Sequence, residues 1–74
     1  MLIRIRNTDK TIEDILVQPD QVDCWVDTER DSLYIEISGK KRLVKKSRKE
    51  KLLFEMMDRI YDAMKMNTFL DLTE

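Results

Sequence analysis

The chain has no histidine, one cysteine, one glycine and one proline among its 74 residues. Each scarcity excludes a class of chemistry. Without histidine, the commonest general base, proton shuttle and zinc ligand is missing. A lone cysteine forms no intramolecular disulfide and no CxxC metal site. One glycine leaves neither a GxGxxG turn nor a phosphate-cradling P-loop. The serines have no histidine to activate them and stand in no Ser-x-x-Lys pattern. The expectation is a protein that is not an enzyme and that carries no cofactor and no metal.

Long apolar runs are also missing. Ile15-Leu16-Val17 is among the longest, far below the ~20 residues that cross a bilayer. Met1-Leu2-Ile3-Arg4-Ile5-Arg6 does not build the apolar core of a signal peptide. A single cysteine suits a reducing compartment. These readings predict a soluble, cytoplasmic protein without a membrane partner. With 42% apolar residues and a net charge of −1 the chain is expected to fold. Its length bounds it to one domain, residues 1–74, which buries only about 60% of its unfolded surface.

What is present is alternation, then helical periodicity. Ile3 and Ile5 alternate with Arg4 and Arg6, the period of a half-buried strand. Asn7-Thr8-Asp9 is turn chemistry. Residues 11–17 fit either a helix capped by Thr11 or a short strand before Gln18-Pro19-Asp20, and we read them as a strand. Val22, Cys24 and Val26 alternate with Asp23, Trp25 and Asp27, and Leu33, Ile35 and Ile37 with Tyr34, Glu36 and Ser38. A hairpin about Glu29-Arg30 pairs Val26 with Leu33, Cys24 with Ile35, Val22 with Ile37 and Trp25 with Tyr34. A slip of one residue would set apolar residues against acids. Gly39 supplies the positive φ of the next tight turn, and residues 42–46 return as a short strand.

Ser47-Arg48-Lys49-Glu50 has the S-x-x-E pattern of a capping box. A helix over residues 48–66 should follow, with Asn67 as its C-cap and an apolar tail after it. Leu52, Ala63, Met56, Ile60, Leu53, Met64, Met57, Tyr61 and Phe54 together cover an arc of about 200°, against the ~100° stripe of a surface helix. Either the N-terminal segment and the tail wrap the excess, or the helix is shared with a second subunit or another protein.

Charge is segregated. Residues 7–39 carry −7 and residues 40–51 carry +7, which the net −1 conceals. The basic run, Lys40, Lys41, Arg42, Lys45, Lys46, Arg48 and Lys49 with Lys51, reads in three ways. It is a solvated edge that discourages aggregation, a surface for an acidic protein or a second copy, or a nucleic-acid site. It contains no aromatic residue to stack on bases, and Trp25 and Tyr34 are expected among Asp23, Asp27 and Glu36, where phosphate is repelled. Arg48 and Lys49 would lie in the first helical turn, where the macrodipole disfavours cations. The acidic segment 7–39 offers a further reading, a mimic of nucleic acid. Asp23, Asp27 and Glu36 read as a solvated acidic face, and Cys24 as a small core residue.

The order of features resembles the short flagellar FlbD-type proteins. The similar stretches are the Met1-Leu2-Ile3 start, the Pro19-Asp20-x-Val22 step, the Gly39-Lys40-Lys41 turn, Val44-Lys45-Lys46-Ser47 and an amphipathic helix. They are scattered over residues 1–60, and no activity, partner or site is taken from them.

The expected architecture is α+β, an antiparallel sheet of four or five strands within residues 1–46 packed against one long C-terminal helix. The expected function is a non-catalytic interaction module that forms a homo-oligomer, of the size of accessory proteins from bacteria or phages. Its candidate contact residues are Trp25, Tyr34, Phe54, Met57, Tyr61, Phe69 and Leu70. Nucleic-acid binding through residues 40–51 is the alternative.

Overall fold

The structure is a computed structural model and describes residues 1–73. Strand β1, Leu2–Arg6, pairs antiparallel with β2, Ile12–Leu16, in the register Ile3 to Ile15 and Arg4 to Asp14. The intervening turn is closed by Asn7 N–H to Thr11 C=O (2.8 Å), with Lys10 in left-handed geometry (φ 69°). Asp9 stabilises it by accepting from the Thr11 N–H (3.0 Å) and hydroxyl (2.6 Å). Residues 11–17 are therefore mostly strand, as read from their position before Pro19.

A short 3-10 turn, Pro19–Gln21, leads into a second sheet. Its strands β3 (Val22–Asp27), β4 (Ser32–Ile37) and β5 (Lys40–Lys46) form an antiparallel meander. The β3–β4 register is the expected one, including Trp25 to Tyr34 and Asp23 to Glu36. Ser38 (φ 51°) and Gly39 (φ 84°) form the two-residue turn into β5. Between β4 and β5 the register jumps: Leu33 faces Lys45 and Tyr34 faces Leu43. Val44 is the extra residue of this bulge and packs against the core.

Helix α1, Glu50–Met66, begins two residues later than expected. The expected capping box does not form. The Ser47 N–H is held by the Asp31 carbonyl (2.8 Å), which keeps the chain extended there. The Ser47 hydroxyl accepts from the Lys49 N–H (3.1 Å), and Lys49 is the N-cap. Arg48 and Lys49 thus precede the helix, and Glu50 is the charge in its first turn alongside Lys51, with the sign of Glu50 suiting the macrodipole. Asn67 ends the helix in left-handed geometry (φ 53°, ψ 46°). Thr68 N–H to Ala63 C=O (3.1 Å) and Asn67 N–H to Met64 C=O (3.2 Å) complete a Schellman motif.

The α+β class is as expected, but the single sheet of four or five strands is not. Among the described residues six strands form two three-stranded sheets, because the Pro19 turn separates the first hairpin from the meander. The tail contributes the sixth strand: β6, Leu70–Leu72, lies parallel to β1, with Ile3 facing Leu70 and Ile5 facing Leu72. One core joins the sheets and the helix. Ile3 and Ile5 from β1, Val22 and Cys24 from β3, Leu33, Ile35 and Ile37 from β4, and Leu53 and Ile60 from α1 are buried in it. No helix among the described residues is long and apolar enough to cross a membrane.

Candidate functional site

Alternation along the meander sends Val22, Cys24, Leu33, Ile35 and Ile37 into the core and their neighbours to the opposite face. The registers set that outer face out as three rows across the strands. The middle row is Trp25, Tyr34 and Leu43; Asp23, Glu36 and Lys41 flank it on one side, and Asp27, Ser32 and Lys46 on the other, where Ser32 is buried and Asp27 lies 3.8 Å from Arg30 Nε. The Trp25 and Tyr34 rings stack at 5.8 Å between centroids, with planes 29° apart. The Lys41 ammonium lies 4.5 Å from the Tyr34 ring centre, a contact worth about 0.5–1 kcal/mol at an exposed site. Trp25 and Tyr34 are half-buried and Leu43 is 44% exposed.

Charge on this face is graded. Asp23 and Asp27 stand on β3, whereas Lys41 and Lys46 stand on β5. The basic run and the aromatic pair are therefore neighbours through Lys41, which the order of residues alone does not reveal. Leu43 belongs to the site and was missed, although the two-residue turn at Ser38 and Gly39 alone sets it opposite Tyr34; the bulge at Val44 moves only Lys45 and Lys46.

The basic run divides. Among the described residues, Lys40, Lys41, Lys45, Lys46, Arg48, Lys49 and Lys51 form no ion pair. Arg42 does: its Nη2 donates to both Glu13 carboxylate oxygens (3.0 and 3.2 Å) and its Nη1 to Asn7 Oδ1 (2.5 Å). Its side chain is 13% exposed. Arg42, expected as an anion-binding residue, is instead occupied as a tie between the two sheets. Arg6, Lys40, Lys41, Lys45 and Lys46 line two adjoining open grooves beside the Asn7–Asp9 turn. Arg48 borders a separate hollow with Glu29, Arg30 and Asp31.

The other expected contact residues are scattered. Leu70 is 8% exposed and belongs to the core, because its strand pairs with β1 and points it inward, so it is removed from the contact surface. Met57 packs partly against the core. Phe54 is 42% exposed on the helix. The Tyr61 ring is exposed, but its hydroxyl donates to the Cys24 carbonyl (2.8 Å). Phe69 is exposed beneath the Arg4 guanidinium, 5.6 Å from its ring centre. Ile12, Leu16, Leu52 and Met66 are exposed as well. The tail and the Met56–Ile60 side of the helix line one small hollow, and Met56 and Leu72 both pack against the core.

Burial pushes the Cys24 thiol up to about 11, which keeps it protonated and poorly nucleophilic. Among the described residues no three His, Cys, Asp or Glu side chains gather as metal ligands. The acids do not form one surface, since Asp14 is bound by Arg4 (2.8 and 3.0 Å) and Glu13 by Arg42. Compared with known proteins, the chain matches no family model, no curated protein and no solved structure.

Proposed function

We propose that this chain is a non-catalytic interaction module that works by protein contact through the outer face of β3–β4–β5. The observation that carries the reading is the Trp25–Tyr34–Leu43 row, a stacked aromatic pair and a leucine left half-exposed on a flat sheet. Large, rigid amphipathic rings are the side chains that anchor protein contacts, since they bury much area for little lost freedom. The exposed Phe54 side of α1 offers a second contact surface. The lone, buried cysteine suits a reducing cytoplasm. The test is affinity capture from the native host with wild type, Trp25→Lys and Phe54→Lys. Wild type retains a protein that Trp25→Lys loses, while circular dichroism shows all three folded; loss in Phe54→Lys alone assigns the contact to the helix instead. Equal capture by both folded variants overturns the reading.

A second reading, nucleic-acid binding, is favoured by the convergence of Arg6, Lys40, Lys41, Lys45 and Lys46 on adjoining grooves. It predicts affinity that falls steeply with salt as phosphate contacts are screened. Neutralising Lys45 and Lys46 then flattens that salt slope. Absence of a gel shift at low salt removes this reading.

A further inference from the structure

We infer that the outer face of β3–β4–β5 is an interface between two copies of this chain, related by a twofold axis running along β4. The inference rests on the contact reading above and names its partner. It follows from the pattern of the face: acids on β3, bases on β5, and an apolar and aromatic row that crosses all three strands between the charged rows. A twofold axis along the central strand lays β3 of one protomer over β5 of the other and leaves each row opposite itself. Asp23 then faces Lys41 of the other copy and Trp25 faces Leu43, each contact occurring twice, while Asp27, opposite Lys46, is shared with Arg30 of its own chain. A twofold axis across the strands would instead set β3 on β3 and acid on acid. The face is thus self-complementary in one orientation, which closes as a dimer rather than growing as a filament.

The same gradient disfavours a polyanion on this face, because phosphate drawn to Lys41 and Lys46 meets Asp23 and Asp27 across the sheet. It also sets the strength. Three strands about 4.8 Å apart and six residues rising about 3.3 Å each give a flat footprint of about 300 Å², below the ~800 Å² per partner of a standard interface. Association is therefore weak and salt-sensitive. Glu36, on the central strand, faces its own copy across the axis, so the arrangement contains one repulsive contact.

The deciding experiment is sedimentation of charge-reversed variants at low salt, with circular dichroism to show that each is folded. Asp23→Lys alone and Lys41→Asp alone each set like charges opposite one another twice, and each loses self-association by about tenfold or more. An equimolar mixture of the two variants restores association as a heterodimer, because every reversed charge then meets an opposite one. Glu36→Gln strengthens association of the otherwise unchanged chain. Leu43→Lys, at an exposed position, weakens it and serves if Asp23→Lys fails to fold. The inference is overturned if either single reversal associates like wild type, or if the mixture stays monomeric. A wild-type monomer whose capture of another protein is lost in Trp25→Lys overturns the twofold pairing and leaves the contact reading standing. A face that can be reversed at Trp25 and Leu43 with neither consequence overturns both.

Discussion

The two sheets of this small protein are built on opposite plans. The β3–β4–β5 meander joins strands that follow one another through short turns, so its order can be reached by local steps. The β2–β1–β6 sheet gathers residues 2–6, 12–16 and 70–72, and its parallel β1–β6 pair closes nearly the whole chain into a loop. The meander has a buried face against α1 and an open aromatic face. The other sheet buries Ile3 and Ile5 while exposing Ile12 and, at 84%, Leu16 along its edge strand. Pairing between neighbours demands little loop-closure entropy, whereas the β1–β6 pairing has to be supported by the core beneath it.

That contrast is broken most severely in the core. Leu53 and Ile60 stand seven residues apart on one face of α1, both buried against the meander. Leu53→Ala or Ile60→Ala is expected to cost about 2–5 kcal/mol, a large share of the 5–15 kcal/mol typical of a domain, read as a lower urea midpoint. A loss below about 1 kcal/mol would mean that the helix does not hold the sheets together.

The tie between the sheets is the next test. Arg42→Met keeps the apolar stem of the side chain and removes its bonds to Glu13 and Asn7. The expected cost is about 1–3 kcal/mol, towards the lower end because Glu13 is partly solvated. Hydrogen exchange should quicken in β1 and β2 more than in β3 and β4. Uniform quickening would show that the two sheets open as one unit.

The smallest effect concerns the exposed pair on the first sheet. The hydrogen bonds from Arg4 hold the Asp14 carboxyl below its ordinary value of 3.8. A carboxyl whose value is lower folded than unfolded contributes stability above the unfolded value and loses it as pH falls through the folded one. Asp14 should therefore titrate below 3.8 in wild type and return towards that value in Arg4→Gln, as followed by NMR. The variant should lose less stability than wild type on acidification. An unchanged Asp14 titration would show that the pair is not formed in solution.

The meander was legible from sequence because alternation and turn residues agree: only one register keeps Val22, Cys24 and Val26 with Ile37, Ile35 and Leu33. Gly39 and Asn67 were legible for the same reason, each standing where the chain needs a positive φ. Leu70-Asp71-Leu72 is too short for its alternation to distinguish a strand from a tail, and its partner lies at the other end of the chain. The S-x-x-E pattern misled because a hydrogen bond from Ser47 to Asp31, a tertiary contact, decides where the helix starts. Arg42 looked like its basic neighbours, and only the approach of Glu13 and Asn7 separates its role from theirs. The graded outer face was half legible: the Trp25–Tyr34 pair follows from the first hairpin and the Lys41 and Leu43 positions from the tight turn at Gly39, while the Lys46 position follows from a bulge that no turn signal marks.

The account turns on whether the open face of the meander is covered by a second copy. Sedimentation of the wild-type chain over a wide concentration range at low salt measures this directly. The account predicts a mass that rises with concentration from 8.9 kDa towards twice that value and falls back when salt is added. A particle that stays at 8.9 kDa at the highest concentration and lowest salt contradicts it.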